Sequence, residues 1–227
     1  ADKYAFTRDA QDAYAIESVQ RALAAQASGA FKNEIAPVTI AGRKGDVVID
    51  SDEQPGRCDI GKIGSLKPAF KKDGTITAAS SSSINDGAAA TVMMRENDAL
   101  ARGLKPMARV LGHATHAQEP GWFTTAPAPS IAKLLKQVGW SVADVDLFEV
   151  NEAFAVVAMA AMKELDIPHA KINVNGGACA LGHPIGASGA RLVVTLIHAL
   201  QARGLKRGVA SLCIGGGEAT AIAIELV

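Results

Sequence analysis

Asn175-Gly-Gly-Ala-Cys-Ala-Leu-Gly-His-Pro-Ile-Gly-Ala-Ser-Gly-Ala-Arg191 places a single histidine, His183, in a glycine-rich turn just ahead of an apolar helix. Gly182 and Gly186 flank it with almost no side-chain bulk, so the backbone can approach a ligand closely. The helix start offers free N–H donors to an anionic or electron-rich group. A histidine held this way is placed for chemistry more than for packing. The run also decides the fold, because a short apolar piece, Ile172 to Val174, precedes it and a helix to about Ala202 follows. Strand, turn and helix in that order form the repeating unit of a helix-covered sheet.

The same pattern extends in both directions. Downstream, Val209 to Ile214 and Ala219 to Val227 read as two strands joined by Gly215-Gly-Gly217, a hairpin signal. Upstream, residues 152–165 are helical and Val145-Asp-Leu-Phe-Glu-Val150 alternates as a strand. Pro129 to Val138 is an amphipathic helix with Ile131, Leu134, Leu135 and Val138 on one face and Gly139 as its stop. Met107 to Leu111 reads as a further strand. The order β-α-β-α-β-α-β-β predicts an α/β domain with a mixed five-stranded sheet covered by helices.

Residues 1–104 look different. Thr7 is a plausible N-cap for a helix carrying Ile16, Val19 and Leu23 at helical spacing up to Gly29. Pro37, Gly42, Gly45, Pro55, Gly56, Gly61, Gly64 and Pro68 then punctuate short strand-like pieces such as Val47-Val-Ile49. Residues 31–75 are therefore an irregular, loop-rich region with little room for a core of its own. Ser80-Ser-Ser-Ser83 leads into Ile84-Asn-Asp-Gly87, and an alanine-rich helix is expected over roughly 87–103.

Bulk properties narrow the function. The chain has 227 residues, 48% of them apolar, which permits a substantial core. Its 23 basic and 23 acidic side chains balance, so no basic stripe argues for nucleic acid and no polybasic run for an anionic membrane. No apolar run reaches membrane-spanning length. Cys58, Cys179 and Cys213 are odd in number and widely spaced, with neither disulfide-framework nor zinc-site spacing. A reducing, cytoplasmic setting is the expectation. The start at Ala1, without methionine, reads as trimmed, so a targeting segment has room to precede it.

Three segments fall at predicted strand ends, where sites gather in helix-covered sheets: Asn151-Glu-Ala-Phe-Ala155, the run around His183, and Cys213-Ile-Gly-Gly-Gly217. Each has an ordinary reading. Asn151 suits a helix N-cap, or else an amide that orients a water or an oxyanion. His183 suits a turn bonded to backbone. Cys213 suits a buried apolar thiol, or a reactive one if the glycine N–H groups beside it lower its pKa. Ser80–Ser83, taken alone, reads as a polar linker.

Together these segments resemble the thiolase family. Asp50-Ser-Asp-Glu53, Lys67-Pro-Ala-Phe70, Gly74-Thr-Ile-Thr-Ala78 and Ile84-Asn-Asp-Gly-Ala-Ala-Ala90 agree as well, so the likeness runs from near residue 5 to the end. It implies a thiolase-like layered α/β fold. Residues 1–83 would be the C-terminal part of a CoA-binding loop domain, 84–104 the last strand and helix of an N-terminal domain, and 105–227 the C-terminal domain. It implies acyl transfer between acyl-CoA and CoA, by thiolytic cleavage of a 3-ketoacyl-CoA or by Claisen condensation. Coenzyme A would serve as substrate, with no further cofactor and no metal. His183 resembles the base that activates a nucleophilic cysteine, and shares an oxyanion hole with a water held by Asn151. Cys213 resembles the acid/base at the α-carbon. The N–H of Gly215 resembles a donor to a second oxyanion hole. Ser81, Ser82 and Ala78 match positions along the pantetheine, Phe70 and Phe154 look like apolar walls beside CoA, and Arg57 matches loosely near the adenine–phosphate end.

The family's nucleophilic cysteine lies in its N-terminal half and has no match among Cys58, Cys179 or Cys213. Cys179 stands where thiolases usually carry an aliphatic residue. The expectation is therefore a C-terminal thiolase portion that is inactive alone. An N-terminal half would be its partner, in a homodimer or homotetramer. Ser80, Ser83, Thr124-Thr-Ala-Pro127 and Glu218 depart from common family residues without removing a catalytic group. A decarboxylating ketoacyl synthase would lack Cys213. A non-catalytic CoA- or lipid-binding subunit is the alternative reading.

Overall fold

The computed structural model describes residues 1–227. Its helices are α1 (Arg8–Ser28), α2 (Glu96–Ala101), α3 (Pro127–Val138), α4 (Ala155–Leu165), α5 (Ala178–Leu181) and α6 (Ser188–Arg203). Its strands are β1 (Val38–Ile40), β2 (Val47–Ile49), β3 (Ala108–Ala117), β4 (Leu147–Val150), β5 (Arg207–Ile214) and β6 (Glu218–Leu226). β3 to β6 form one sheet in the order β3-β6-β5-β4, with β4 parallel to β5 and the other pairs antiparallel. β1 and β2 form a separate, solvent-exposed hairpin.

The sheet is the middle of three layers, and side-chain alternation builds both outer contacts. On β4, Phe148 and Val150 face one side, where Ile131, Leu134 and Leu135 of α3 and Val157 and Ala158 of α4 complete the larger core. Leu147 faces the other side, against Leu192, Leu196 and Leu200 of α6. All four β4 residues are buried, as expected of a strand covered on both faces. α1 is capped by Thr7, whose Oγ1 accepts from the Ala10 N–H at 3.1 Å, and packs against α5 and α4. No helix is long and apolar enough to cross a membrane.

Three expectations need correction. The sheet has four strands, because the fifth candidate, Ile172 to Val174, meets the sheet only through a single parallel bridge from Ile172 to Phe148. At the next residue Asn173 takes a left-handed conformation (φ 48°), and its carboxamide replaces the ladder. Oδ1 accepts from the Val150 N–H and Nδ2 donates to the Val150 carbonyl, both at 2.8 Å. The helix expected over 87–103 shrinks to α2, because Ile84 bridges to His183 and Gly87 lies against the Pro184 ring, which draws the chain out. The strand expected at Met107 to Leu111 runs on as β3 to Ala117. A register shift between Val110 and Gly112 breaks the alternation there.

Candidate active site

β4 and β5 are parallel and paired through Val150 and Ser211, so their C-terminal ends lie at one edge of the sheet. Asn151 follows β4, and its N–H donates to the Ser211 carbonyl at 2.9 Å. Cys213 lies two residues further along β5, and the exposed Gly215 begins the turn into β6. Asn151 is not a helix cap: α4 begins at Ala155, with Phe154 in the cap position. Its amide instead lies 3.4 Å from His183, Nδ2 to Nε2, and its Oδ1 is buried with no partner. The fold thus brings Asn151, His183 and Cys213 to one end of the sheet.

The turn carrying His183 leaves no space for side chains at two glycines. Gly182 has φ +81°, and a Cβ there would collide with the Asn85 carboxamide. A Cβ at Gly177 would collide with the Glu152 carboxylate. The backbone N–H of His183 donates to the Ser83 carbonyl at 2.9 Å. Its ring Nδ1 lies 2.5 Å from Ser188 Oγ, the first residue of α6.

Ser80–Ser83 is no loose linker. The Ser80 carbonyl accepts from the Ala155 N–H, Ser82 donates from both its N–H and Oγ to the Ala153 carbonyl, and Ser83 holds His183. Ser81 donates to the Thr77 carbonyl at 2.7 Å and bridges to Phe154. Phe70 meets Phe154 edge-on at 5.8 Å between ring centroids. Ser81, Ser82, Phe70 and Phe154 therefore lie together, with Ala78 exposed close by in the chain. Arg57 is exposed and paired with Glu53 at 2.9 Å.

Glu152, not among the candidate residues of the sequence, is fully buried. Its Oε1 accepts from Tyr14 Oη and Asn173 Nδ2, and its Oε2 from Ser18 Oγ, all at 2.8 Å; Oε2 also accepts from the Cys179 N–H at 3.0 Å. Burial, together with this carboxylate, raises both the Tyr14 hydroxyl and the Cys179 thiol well above their usual ranges. The one available signal was an acidic residue directly after Asn151.

A second buried group lies beneath the sheet on the α6 side. Glu149 Oε2 meets Arg191 Nη1 at 3.3 Å, while Glu149 Oε1, Arg191 Nη2 and Glu34 Oε2 have no partner. Burial outweighs the guanidinium and pushes Glu149 up to about 8, and Glu34 up to about 7. A carboxyl whose pKa rises on folding contributes stability below its unfolded value near 4.5. That contribution is lost as pH rises through 8. The urea midpoint is therefore expected to fall between pH 5 and pH 9, and Glu149→Gln to flatten that slope. An equal slope in the variant would remove Glu149 as its source.

Burial lowers the His183 pKa, and the Arg191 charge lowers it further, which favours the neutral ring. Of the two readings of Cys213, the buried thiol is the one the surroundings favour. Burial pushes it up to about 11, against a smaller backbone hydrogen-bond effect. Its alkylation, read by peptide mass spectrometry, is expected to rise by about tenfold per pH unit through pH 10. A plateau near pH 8 would contradict this.

The site combines a buried amide, an imidazole whose pKa is lowered and a thiol pushed up to about 11, at the strand ends of a layered α/β fold. This set suits the handling of protons and oxyanions. Residues 104–226 match the family model for the thiolase C-terminal domain, and residues 1–97 the model for the thiolase N-terminal domain. The chain belongs to the thiolase family. It is 54% identical over 226 residues to a probable acetyl-CoA acetyltransferase of Dictyostelium discoideum, covering 99% of this chain and 55% of that protein. It is 50% identical to the acetyl-CoA acetyltransferase of Escherichia coli, covering 99% and 57%. The solved acetyl-CoA acetyltransferase of Bacillus anthracis superposes with a TM-score of 0.96 at 47% identity, covering 100% of this chain and 58% of that one. An Ascaris suum thiolase, solved in complex with coenzyme A, gives 0.89 at 44%, covering 100% and 58%. The chain thus spans a little over half the length of these relatives.

Proposed function

We propose that this chain carries the oxyanion- and proton-handling part of a thiolase active site, acting on acyl-CoA and CoA. The observation that carries the reading is the 3.4 Å approach of Asn151 Nδ2 to His183 Nε2 at the strand ends that also bear Cys213. Claisen condensation and its reverse place charge on a thioester oxygen and on a tetrahedral alkoxide. Preorganised donors at such oxygens contribute about 2.7–4 kcal/mol each in the best-measured case. His183 Nε2 takes the proton of a nucleophilic thiol and then donates it to the thioester oxygen, beside a water held by Asn151. Cys213, kept protonated by burial, serves as the acid and returns as the base at the α-carbon. The N–H of Gly215 lies outside any strand or helix and donates to no backbone carbonyl, which suits a second oxyanion hole. Ser81, Ser82, Ala78, Phe70 and Phe154 border the pantetheine, and Arg57 the adenine–phosphate end.

None of the three cysteines suits the nucleophile. Cys179 Sγ points to the Glu152 carbonyl at 3.9 Å, Cys58 packs against Val19, Ala22 and Ala180, and Cys213 is assigned to the α-carbon. The nucleophile then comes from thiolase sequence outside these 227 residues, within a homodimer or homotetramer. Residues 1–83 belong to a loop domain, 84–104 to the end of an N-terminal domain and 105–227 to the C-terminal domain, in keeping with the two family matches that meet between residues 97 and 104.

The test is CoA-dependent loss of acetoacetyl-CoA absorbance. The chain alone is expected to give no turnover, and addition of the N-terminal portion of a related acetyl-CoA acetyltransferase to restore it. Turnover by the chain alone would make one of its own cysteines the nucleophile and overturn this assignment. CoA binding by calorimetry with no turnover even after complementation would replace catalysis with a binding role.

A further inference from the structure

We propose that Ser188 is a positioning residue for His183, fixing the neutral ring with its proton on Nδ1 and leaving Nε2 as a bare acceptor facing Asn151. Ser188 is 1% exposed and opens α6, five residues after His183. Three contacts bear on where the protons lie. Ser188 Oγ lies 3.0 Å from the Pro184 carbonyl, which can only accept, so the hydroxyl proton points there. The same Oγ is 2.5 Å from His183 Nδ1, and with its own proton committed it accepts from Nδ1–H. On the far side of the ring the Asn151 amide nitrogen, which can only donate, lies 3.4 Å from Nε2. The relay therefore runs Asn151 N–H to Nε2, then Nδ1–H to Ser188, then O–H to Pro184.

This arrangement opposes the intrinsic preference of a histidine side chain, whose neutral form favours the proton on Nε2. An unassisted His183 would present N–H to the reacting atoms and could not take a thiol proton at that nitrogen. The tautomer is set by the bond that the other ring nitrogen makes, and here that bond is to Ser188. Arg191 of α6 is the charged group that acts on the ring, and it is itself paired with Glu149. It disfavours the imidazolium without choosing between the two neutral tautomers. The proton assignment stands on geometry alone. Only its use in catalysis rests on the acyl-transfer reading.

Long-range nitrogen–proton correlation spectra of the histidine-labelled chain test it directly, since they distinguish protonated from bare ring nitrogens. The chain has five histidines, and the His183 peaks are identified by their loss in His183→Gln. The expected wild-type result, at a pH where the ring is neutral, is one tautomer with a protonated Nδ1 and a bare Nε2. Ser188→Ala is expected to move the proton mainly to Nε2, and Ser188→Thr, which keeps a hydroxyl, to restore Nδ1–H. A wild-type ring protonated on Nε2 overturns the assignment, as does an unchanged tautomer in folded Ser188→Ala. The wild-type spectrum decides the proton's position even if a variant fails to fold. A failed thiolysis assay beside an Nδ1–H spectrum would count against the proposed function and leave the Ser188 assignment standing.

Discussion

Glu152→Ala is expected to lower the unfolding free energy by roughly 4 kcal/mol, read as a drop in urea midpoint at unchanged slope. The substitution leaves Tyr14 Oη, Ser18 Oγ, Asn173 Nδ2 and the Cys179 N–H without their shared acceptor. An orphaned buried donor costs about 1–3 kcal/mol, but water entering the vacated space relieves part of the sum. Against a typical domain stability of about 5–15 kcal/mol, a loss of this size leaves much of the chain unfolded at modest temperature. Glu152→Gln keeps the volume but turns one acceptor into a donor that faces other donors. Its expected loss is about half as large, on the order of 2 kcal/mol. A loss below about 1 kcal/mol for Glu152→Ala would show that the donors find other partners easily.

The reach of that carboxylate explains why so much depends on it. Tyr14 and Ser18 lie on α1, 138 and 134 residues away in sequence. Cys179 lies in the short α5 just before His183, and Asn173 also ties down the backbone of Val150. One side chain thus links the irregular N-terminal region, the end of β4 and the turn that carries the histidine. Asn151 is its immediate neighbour, so the same anchor holds the amide toward the imidazole.

The elements legible in the sequence were those whose side-chain period matched their burial. The alternation of the strand after Gly217 became β6, with Ala219, Ala221 and Ala223 buried, and the face of Ile131, Leu134 and Leu135 became the buried side of α3. The elements misread were those where a tertiary contact overrode the local pattern. The alanines of residues 88–90 favour a helix, yet the contacts of Ile84 and Gly87 with the His183–Pro184 turn hold that stretch extended. Ile172 to Val174 has strand-forming residues at both ends, but the side chain of Asn173 occupies the ladder position. At the site, Asn151, His183 and Cys213 were visible because reactive residue types stand beside glycines or strand ends. Glu152, Ser188 and the Glu149–Arg191 pair were not, because their roles depend on partners far away in sequence or across the sheet. Only the folded chain brings Tyr14 to Glu152 or Arg191 to Glu149.

His183→Ala, in protein complemented to turn over, is expected to reduce kcat/KM by about 10⁴-fold, with folding stability changed by far less than in Glu152→Ala. General-base catalysis by a positioned imidazole contributes about 10²–10⁴-fold. Loss of one oxyanion donor costs about 10²–10³-fold. In the proposed mechanism the two effects belong to one ring at different steps, so they do not multiply in full. Asn151→Ala removes the amide that lies against Nε2 and, in the proposed mechanism, holds the water, and is expected to cost about 10²-fold. The double variant should fall little below His183→Ala, because residues acting as a unit are strongly non-additive. The pH profile gives an independent reading. Burial and the Arg191 charge lower the His183 pKa, so its base form persists below the usual histidine range. The acid limb of kcat/KM should lie correspondingly low in wild type and vanish in His183→Ala. A His183→Ala enzyme within tenfold of wild type would reduce the histidine to a turn residue bonded to Ser188, and would remove the central group from the proposed mechanism.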